Sequence, residues 1–355
     1  TFTVKDASGA VVDPGGSGGT TAVPTTTESE VPSTTNISGD TATVTVSSND
    51  LEKAAEDADA KTQLVVTADV PENSDVKTVT TNLPSDGTKA AADSGASLKI
   101  ETPVGDVVFS NTAFKDLTKD GGDVTVTVKE NTDGSAAITV SVGGKAVDEI
   151  SGGVKVVIPA KDGQVAVLLK EDGTTEIVKK SVVENGEAYV LINGSATIEI
   201  IDNSKYFEDV PDNAWFKGAV DFVSSHDLFR GISESEFGPG LNMTRAMMAT
   251  VLYRLEDEPE GFTGVRFGDV KDDTWYTDAV AWASENDIVN GNGDGFAPND
   301  NITREQIATV LYRYARYLGL DVSAKGDVSS FGDGSEVSSW ASDAMGPAVS
   351  TTTLL

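Results

Sequence analysis

Two dipeptides in this 355-residue chain have the residue types and placement to handle an anion: Thr244-Arg245 and Thr303-Arg304. Each heads a run that reads as a helix, "TRAMMATVLYRL" and "TREQIATVLYRY". A threonine there serves as N-cap, its hydroxyl accepting from a free N–H of the first turn. The arginine is the odd choice. A helix N-terminus carries about half a positive charge, so a cation in the first turn costs roughly 0.3–1 kcal/mol. Its presence in both copies calls for a compensating negative partner. One candidate is a carboxylate of the chain itself, with Asp209, Asp212, Asp269 and Asp272 in view. The other is an external anion, held jointly by helix N–H groups and the guanidinium fork. The residues alone leave both open. Gln306 completes a capping box with Thr303, whereas Met247 stands at that place after Thr244 and leaves the first copy without one.

Other chemistries find little material. There is no Cys, which excludes disulfides, thiolate metal sites and Cys nucleophiles. The lone histidine, His226, aligns with Asn286 at the end of a helix and reads as a polar C-terminal cap. No G-x-S-x-G elbow accompanies it. Acidic residues are abundant, but nothing singles out a glycosidase pair. "NGNGDGFAPNDN" puts Asn290, Asn292, Asp294 and Gly295 at positions 1, 3, 5 and 6 of a calcium loop. Position 12 is Asn301 rather than the bidentate Glu, so a Gly/Asn turn is the reading. Tyr312, Tyr314 and Tyr317 read as helix packing and rim. No catalytic residue, metal ligand or cofactor is assigned.

The elements that position the two dipeptides form a repeat. "YFEDVPDNAWFKGAVDFVSSHDLFRG" and "RFGDVKDDTWYTDAVAWASENDIVNG" open two copies sixty residues apart, and "SFGDGSEVSSWASDAMGPAVSTTTLL" opens a third. In each full copy two helices are expected. Trp215, Ala219, Phe222 and Val223 share a face of the first, matched by Trp275, Ala279, Trp282 and Ala283. Ile307, Leu311, Tyr314 and Leu318 are the expected buried stripe of the second, with Gly319 stopping it. Such two-helix units bury both apolar faces only by stacking. In the third copy, Gly346-Pro347 is expected to bend or break the helix.

Upstream the character changes. "TATVTVS", "DVTVTVKEN" and "AAITVSV" alternate as strands, and Asp172-Gly173 and Asn185-Gly186 mark tight hairpins. Short helices are expected at "NDLEKAAEDADA", with Asp50 as cap, and at "SNTAFKDLTKD". The fold class is therefore multidomain: a mostly antiparallel, β-sandwich-like domain with short helices, then an all-α helical-repeat bundle. The divisions are 1–12, the end of an upstream strand; 13–38, a Gly/Pro/Thr-rich linker; 39–204, the β-rich domain; 205–262 and 263–325, two repeats; and 326–355, a shortened third. With Met243 as its first methionine, the chain reads as a mature or C-terminal fragment.

With 57 acidic against 26 basic side chains, the net charge is −31. That disfavours nucleic acid and anionic membranes as partners. No apolar run reaches transmembrane length.

The order F-x-D-V, Trp, Ala-Val, Gly, F-x-P, Thr-Arg over residues 206 to about 355 resembles the S-layer homology (SLH) repeat of bacterial surface proteins. The resemblance implies a pseudo-threefold helical bundle whose grooves bind secondary cell-wall polysaccharide attached to peptidoglycan, often through a pyruvate ketal. It implies an extracellular, wall-bound location, with self-association in a surface layer as a further partner. It carries ligand binding onto Thr244, Arg245, Thr303, Arg304, Trp215, Trp275, Gly231 and Gly291, with the groove between copies one and two as the first choice. It would make the ketal carboxylate the missing anion. Asp209 and Asp269 fill the F-x-D-V position as turn-forming caps. Thr-Arg-Ala-Met and Thr-Arg-Glu-Gln depart from the family's frequent T-R-A-E, which leaves that Glu without a role here. The alternatives are the anchor of an extracellular enzyme whose catalytic domain lies upstream, or a lattice-forming S-layer protein.

Overall fold

A computed structural model describes residues 26–161, 163–263, 267–291, 295–320, 322–323, 326–330 and 332–349. The strand expected over 1–12 and the first half of the linker lie outside the described residues, as do Asn292 and Asp294 of the calcium-like loop.

The first region runs β1 (Thr27–Glu30), β2 (Ser33–Ser38), β3 (Thr41–Val46), α1 (Ser48–Glu56), β4 (Thr62–Thr67), β5 (Thr78–Leu83), α2 (Ser85–Asp93) and β6 (Ser97–Glu101). It continues with β7 (Asp106–Phe109), α3 (Asn111–Leu117), β8 (Val124–Glu130), β9 (Ala136–Val142), β10 (Lys145–Ala146) and β11 (Val154–Pro159). The last strands are β12 (Gln164–Leu169), β13 (Thr175–Ile177), β14 (Val182–Glu184), β15 (Glu187–Ile192) and β16 (Ala196–Asp202). One sheet has the order β1-β4-β6-β7-β11-β15-β14, the other β13-β12-β16-β9-β8-β5-β3-β2, with β10 beside β9. The alternating valines explain this. Val44, Val79, Val126 and Ile138 of one sheet and Leu64, Leu98, Val107 and Val156 of the other fall into a single buried core, which α1–α3 also line.

Most strand pairs are antiparallel, as expected, while β1/β4, β4/β6 and β3/β5 pair in parallel. Parallel neighbours need long connections, and here the chain passes through α1 or α2 and the opposite sheet before it returns. Residues 26–38 are not linker: β1 and β2 are edge strands, held by backbone pairing to β4 and β3 while most of their side chains face water. The cap of α1 is Ser47, not Asp50. Ser47 Oγ accepts from the Asp50 N–H at 3.1 Å, and Asp50 sits in the first turn. The hairpins stand as read: Asp172-Gly173 joins β12 to β13, and Asn185-Gly186, both at positive φ, joins β14 to β15.

The second region is helical: α4 (Lys217–Ser225), α5 (Arg245–Leu255), α6 (Thr277–Glu285), α7 (Arg304–Tyr317) and α8 (Ser342–Val349), plus two short 3-10 turns. An isolated β-bridge joins Thr244 to Asn301. Trp215 and Trp275 precede α4 and α6 and are exposed; α4 buries Val220 and Ser224 rather than Ala219 and Phe222, whereas α6 does bury Ala279, Trp282 and Ala283. The buried face of α7 is Ala308, Val310, Tyr314 and Ala315; Ile307 and Leu311 flank it and Leu318 is exposed. Gly319 follows in the left-handed region and ends α7 as expected. α8 runs through Gly346-Pro347 without interruption.

The two regions meet at the turn after β13. Lys179 pairs with Asp257 at 3.2 Å and Lys180 with Glu256 at 2.8 Å, both at the C-terminal end of α5. Glu256 also accepts from the Tyr314 hydroxyl of α7. Ser181 lies 3.4 Å from Nε2 of His226, the C-cap of α4. His226 is 2% exposed and its Nδ1 donates to the Phe222 carbonyl at 2.8 Å. Burial holds its pKa below the ordinary histidine range.

Candidate functional site

Each full copy builds its loop with the same devices. Asp209 accepts from the N–H groups of Phe237 and Gly238 at 2.8 and 2.7 Å, and Asp269 accepts from Phe296 and Ala297 at the same two distances. These bonds hold both carboxylates below the usual range. They are turn-forming groups, as the F-x-D-V position suggested. Gly231 and Gly291 close the loops from the other side. A Cβ on Gly231 would come 2.7 Å from the Glu236 carbonyl oxygen and 2.9 Å from the Phe207 ring. On Gly291 it would come 2.8 Å from both the Gly295 carbonyl oxygen and the Phe267 ring.

The helix starts come next. Thr244 and Thr303 cap α5 and α7, accepting from Met247 and Gln306 N–H at 3.2 and 3.3 Å. The first copy does form a box: Thr244 N–H meets the Met247 sulfur at 3.4 Å, where the second copy uses the Gln306 oxygen at 3.0 Å. A thioether is a weak acceptor, which is why the sequence pattern did not reveal it.

Arg245 answers the question of the unfavourable cation in a way neither sequence reading foresaw. Its Nε donates to the Phe296 carbonyl at 2.7 Å and its Nη2 to the Asn290 carbonyl at 2.8 Å. The guanidinium lies 4.8 Å from the Phe296 ring centroid. The backbone N–H groups of Arg245 and Ala246 donate to the carbonyls of Asp300 and Pro298, each at 3.0 Å. Four carbonyls of one segment therefore face this helix start. Carbonyl dipoles take the place assigned to an anion, and no ion pair joins Arg245 to a carboxylate among the described residues. The residue is 9% exposed; burial lowers its pKa, against the attraction of Asp300 and Asp269. Arg304 differs: its side chain is 85% exposed and lies 3.4 Å from Asp333 of the third copy.

Two cavities occupy equivalent places. The first, about 490 Å³, lies between the loop and α5 of copy one and is closed by Trp275 of copy two. The second, about 260 Å³, lies between the loop and α7 of copy two and is closed by Trp340 of copy three, with Arg245 at its wall. Both tryptophans are about half exposed, at 57% and 55%. Thr250 and Thr309, Val251 and Val310, and Arg254 and Arg313 match across the two grooves. Four positions differ: Arg230 for Asn290, Met247 for Gln306, Met243 for Ile302 and Phe229 for Val289. In the second groove the Asn290 side-chain oxygen, in the amide orientation that satisfies both its ends, accepts from Arg313 at 3.1 and 3.2 Å. In the first, Arg230 stands beside Arg254, whose pKa is lowered by burial and then by that neighbour. Arg254 donates to the Leu228 carbonyl at 3.1 Å.

The sequence-derived residues are thus distributed over three places. Gly231 and Trp275 share the first groove; Gly291 and Arg245 share the second. Thr303 and Arg304 line a third cavity of about 300 Å³ against copy three. Trp215 is 80% exposed, rests edge-on against Phe216, and lines none of these cavities. Arg254, Arg313, Thr250, Thr309 and Trp340 were missed. Their signal was present: both arginines end the repeated block A-T-V-L-Y-R, and Trp340 is the third copy's Trp.

Residues 206–249 and 266–308 match the S-layer homology domain, so the helical region contains two SLH domains. The chain is 36% identical over 131 residues to the surface-layer 125 kDa protein of Lysinibacillus sphaericus, covering 36% of this chain and 10% of that protein. It is 31% identical over 117 residues to a cellulosome-anchoring protein of Acetivibrio thermocellus, covering 32% of this chain and 25% of that protein. It is 30% identical over 158 residues to the exoglucanase XynX of Acetivibrio thermocellus, covering 44% of this chain and 14% of that protein. The chain thus spans a quarter or less of the length of these relatives. Among the described residues, no helix is long and apolar enough to cross a membrane.

Proposed function

We propose that this chain is a non-enzymatic anchor at the bacterial cell surface. Its SLH domains grip secondary cell-wall polysaccharide, pyruvylated on some of its sugars, in the grooves between copies. In this reading residues 205–262, 263–325 and 326–355 are the repeats of an all-α bundle, and 39–204 is the domain they hold at the wall. The observation that carries it is the pair of equivalent grooves, each with a half-exposed tryptophan from the following copy and an arginine on its second helix. A tryptophan face stacks on a sugar ring, and a guanidinium fork pairs with a carboxylate such as that of a pyruvate ketal. Relatives named as a surface-layer protein, an anchoring protein and an exoglucanase are all consistent with one anchoring module joined to different cargo.

The test is retention on purified Gram-positive walls with and without their secondary polysaccharide. The wild-type chain binds only polymer-bearing walls, and the Trp275→Ala/Trp340→Ala double variant, folded by circular dichroism, loses that binding. A folded wild-type chain that ignores the polymer sinks the proposal. Concentration-dependent growth in light scattering without walls would favour the lattice-forming reading instead.

A further inference from the structure

We infer that Arg245 is a positioning residue for the second groove: it sets the loop of the following copy and does not itself hold the ligand by charge. The inference rests on the groove reading above. Three observations carry it. The Nε and Nη2 donors of its guanidinium end on main-chain carbonyls six residues apart in the loop, those of Phe296 and Asn290. The same loop's Pro298 and Asp300 take the first two N–H groups of α5, so the helix start meets the loop at residues 290, 296, 298 and 300. Asn290 in turn fixes Arg313, the arginine that lies within the groove. A displaced Asn290 frees Arg313 from the orientation in which it meets the groove.

A carbonyl clamp of this kind depends on the planar fork, which presents two donors at a fixed angle; a lysine keeps the charge and loses the geometry. Asp269 grips the same loop from its other side, through the N–H groups of Phe296 and Ala297. The two residues therefore act on one object. Among the described residues Arg304 forms no such clamp: its side chain is exposed and meets the Asp333 carboxylate.

The experiment uses the whole chain and two readouts. The first is amide hydrogen exchange without walls; the second is retention on polymer-bearing walls, with polymer-stripped walls as control. Arg245→Ala and Arg245→Lys should both speed exchange at Phe296 and Ala297, and both should weaken retention by about tenfold or more, the scale of losing charge-assisted bonds. Asp269→Ala should speed exchange at Arg245 and Ala246 and weaken retention to a similar degree. Arg304→Ala should leave all four amides unchanged. Arg245→Lys that retains wild-type binding, while Arg245→Ala loses it, overturns the inference, because charge would then act on the ligand directly. Unchanged loop exchange in Arg245→Ala also overturns it. If the Arg245 variants do not fold, Asp269→Ala decides: a loosened loop with undiminished retention sinks the inference. Exchange is read without walls, so failure of the anchoring reading and failure of this one are separable.

Discussion

The starts of α5 and α7 share Thr-Arg and the block A-T-V-L-Y-R, yet one arginine is 9% exposed and the other lies in the open. The neighbouring copy makes the difference. Behind α5 comes a complete loop, whose carbonyls at 290, 296, 298 and 300 receive the helix start. Behind α7 comes the third copy, which offers the carboxylate of Asp333. In a stacked repeat the role of a side chain is thus written in the adjoining unit. The grooves obey the same rule, since each is closed by the next copy's tryptophan.

The contrast is most directly attacked at the arginines. Arg245→Ala should destabilise the helical region by roughly 2–4 kcal/mol, because it strands buried carbonyls. Arg304→Ala should cost well under about 1 kcal/mol, as expected for an exposed pair. Chemical denaturation of both variants checks this, and equal losses would erase the contrast. Next come the glycines. Gly231→Ala and Gly291→Ala should each cost about 1–3 kcal/mol, since the new Cβ has no room beside the phenylalanine ring and the carbonyl. A smaller penalty at Gly231 would show that the loop without an arginine clamp gives way more easily.

A smaller effect probes the boundary between regions. The His226 pKa is lowered in the folded chain, so the neutral ring is the stabilised form. That contribution is complete above the unfolded value near 6.5 and is lost as pH falls through the lower folded value. Asp227 is the charge nearest to it in effect and opposes the shift. Melting temperature should therefore drop on acidification below about pH 6.5 by more in wild type than in His226→Gln. The smallest change is Met247→Gln, which replaces a sulfur acceptor by an amide and should stabilise α5 by a few tenths of a kcal/mol. It also makes the first groove resemble the second, so wall retention by the two should converge.

Much of this was legible because it is local. Asp172-Gly173 and Asn185-Gly186 announce their turns by backbone preference, and Thr244 and Thr303 announce helix starts by the bonds a hydroxyl can make. The repeat itself survives in spaced identities. What escaped is set by partners distant in sequence. β1 and β2 carry no apolar alternation because an edge strand is held by its backbone. α2 escaped as well: its buried residues are Gly87, Thr88, Ala91 and Ala92, too small to announce an apolar stripe. The partners of Arg245 are main-chain carbonyls, and every residue type has one, so no composition or motif could point to them.

The joint between the regions gives α5 a mechanical character. Its C-terminal end meets the turn after β13 through Asp257 and Glu256, and its N-terminal end is seated in the loop of the second copy. Eleven residues at 1.5 Å each make a strut about 16 Å long between the two attachments. A pull on the β-rich region therefore reaches the second groove along the helix axis, in parallel with the covalent path through residues 203–216. Under the proposed anchoring, tension on the β-rich region would be felt at the loop that lines a groove, and the grip would depend on more of the chain than the groove itself.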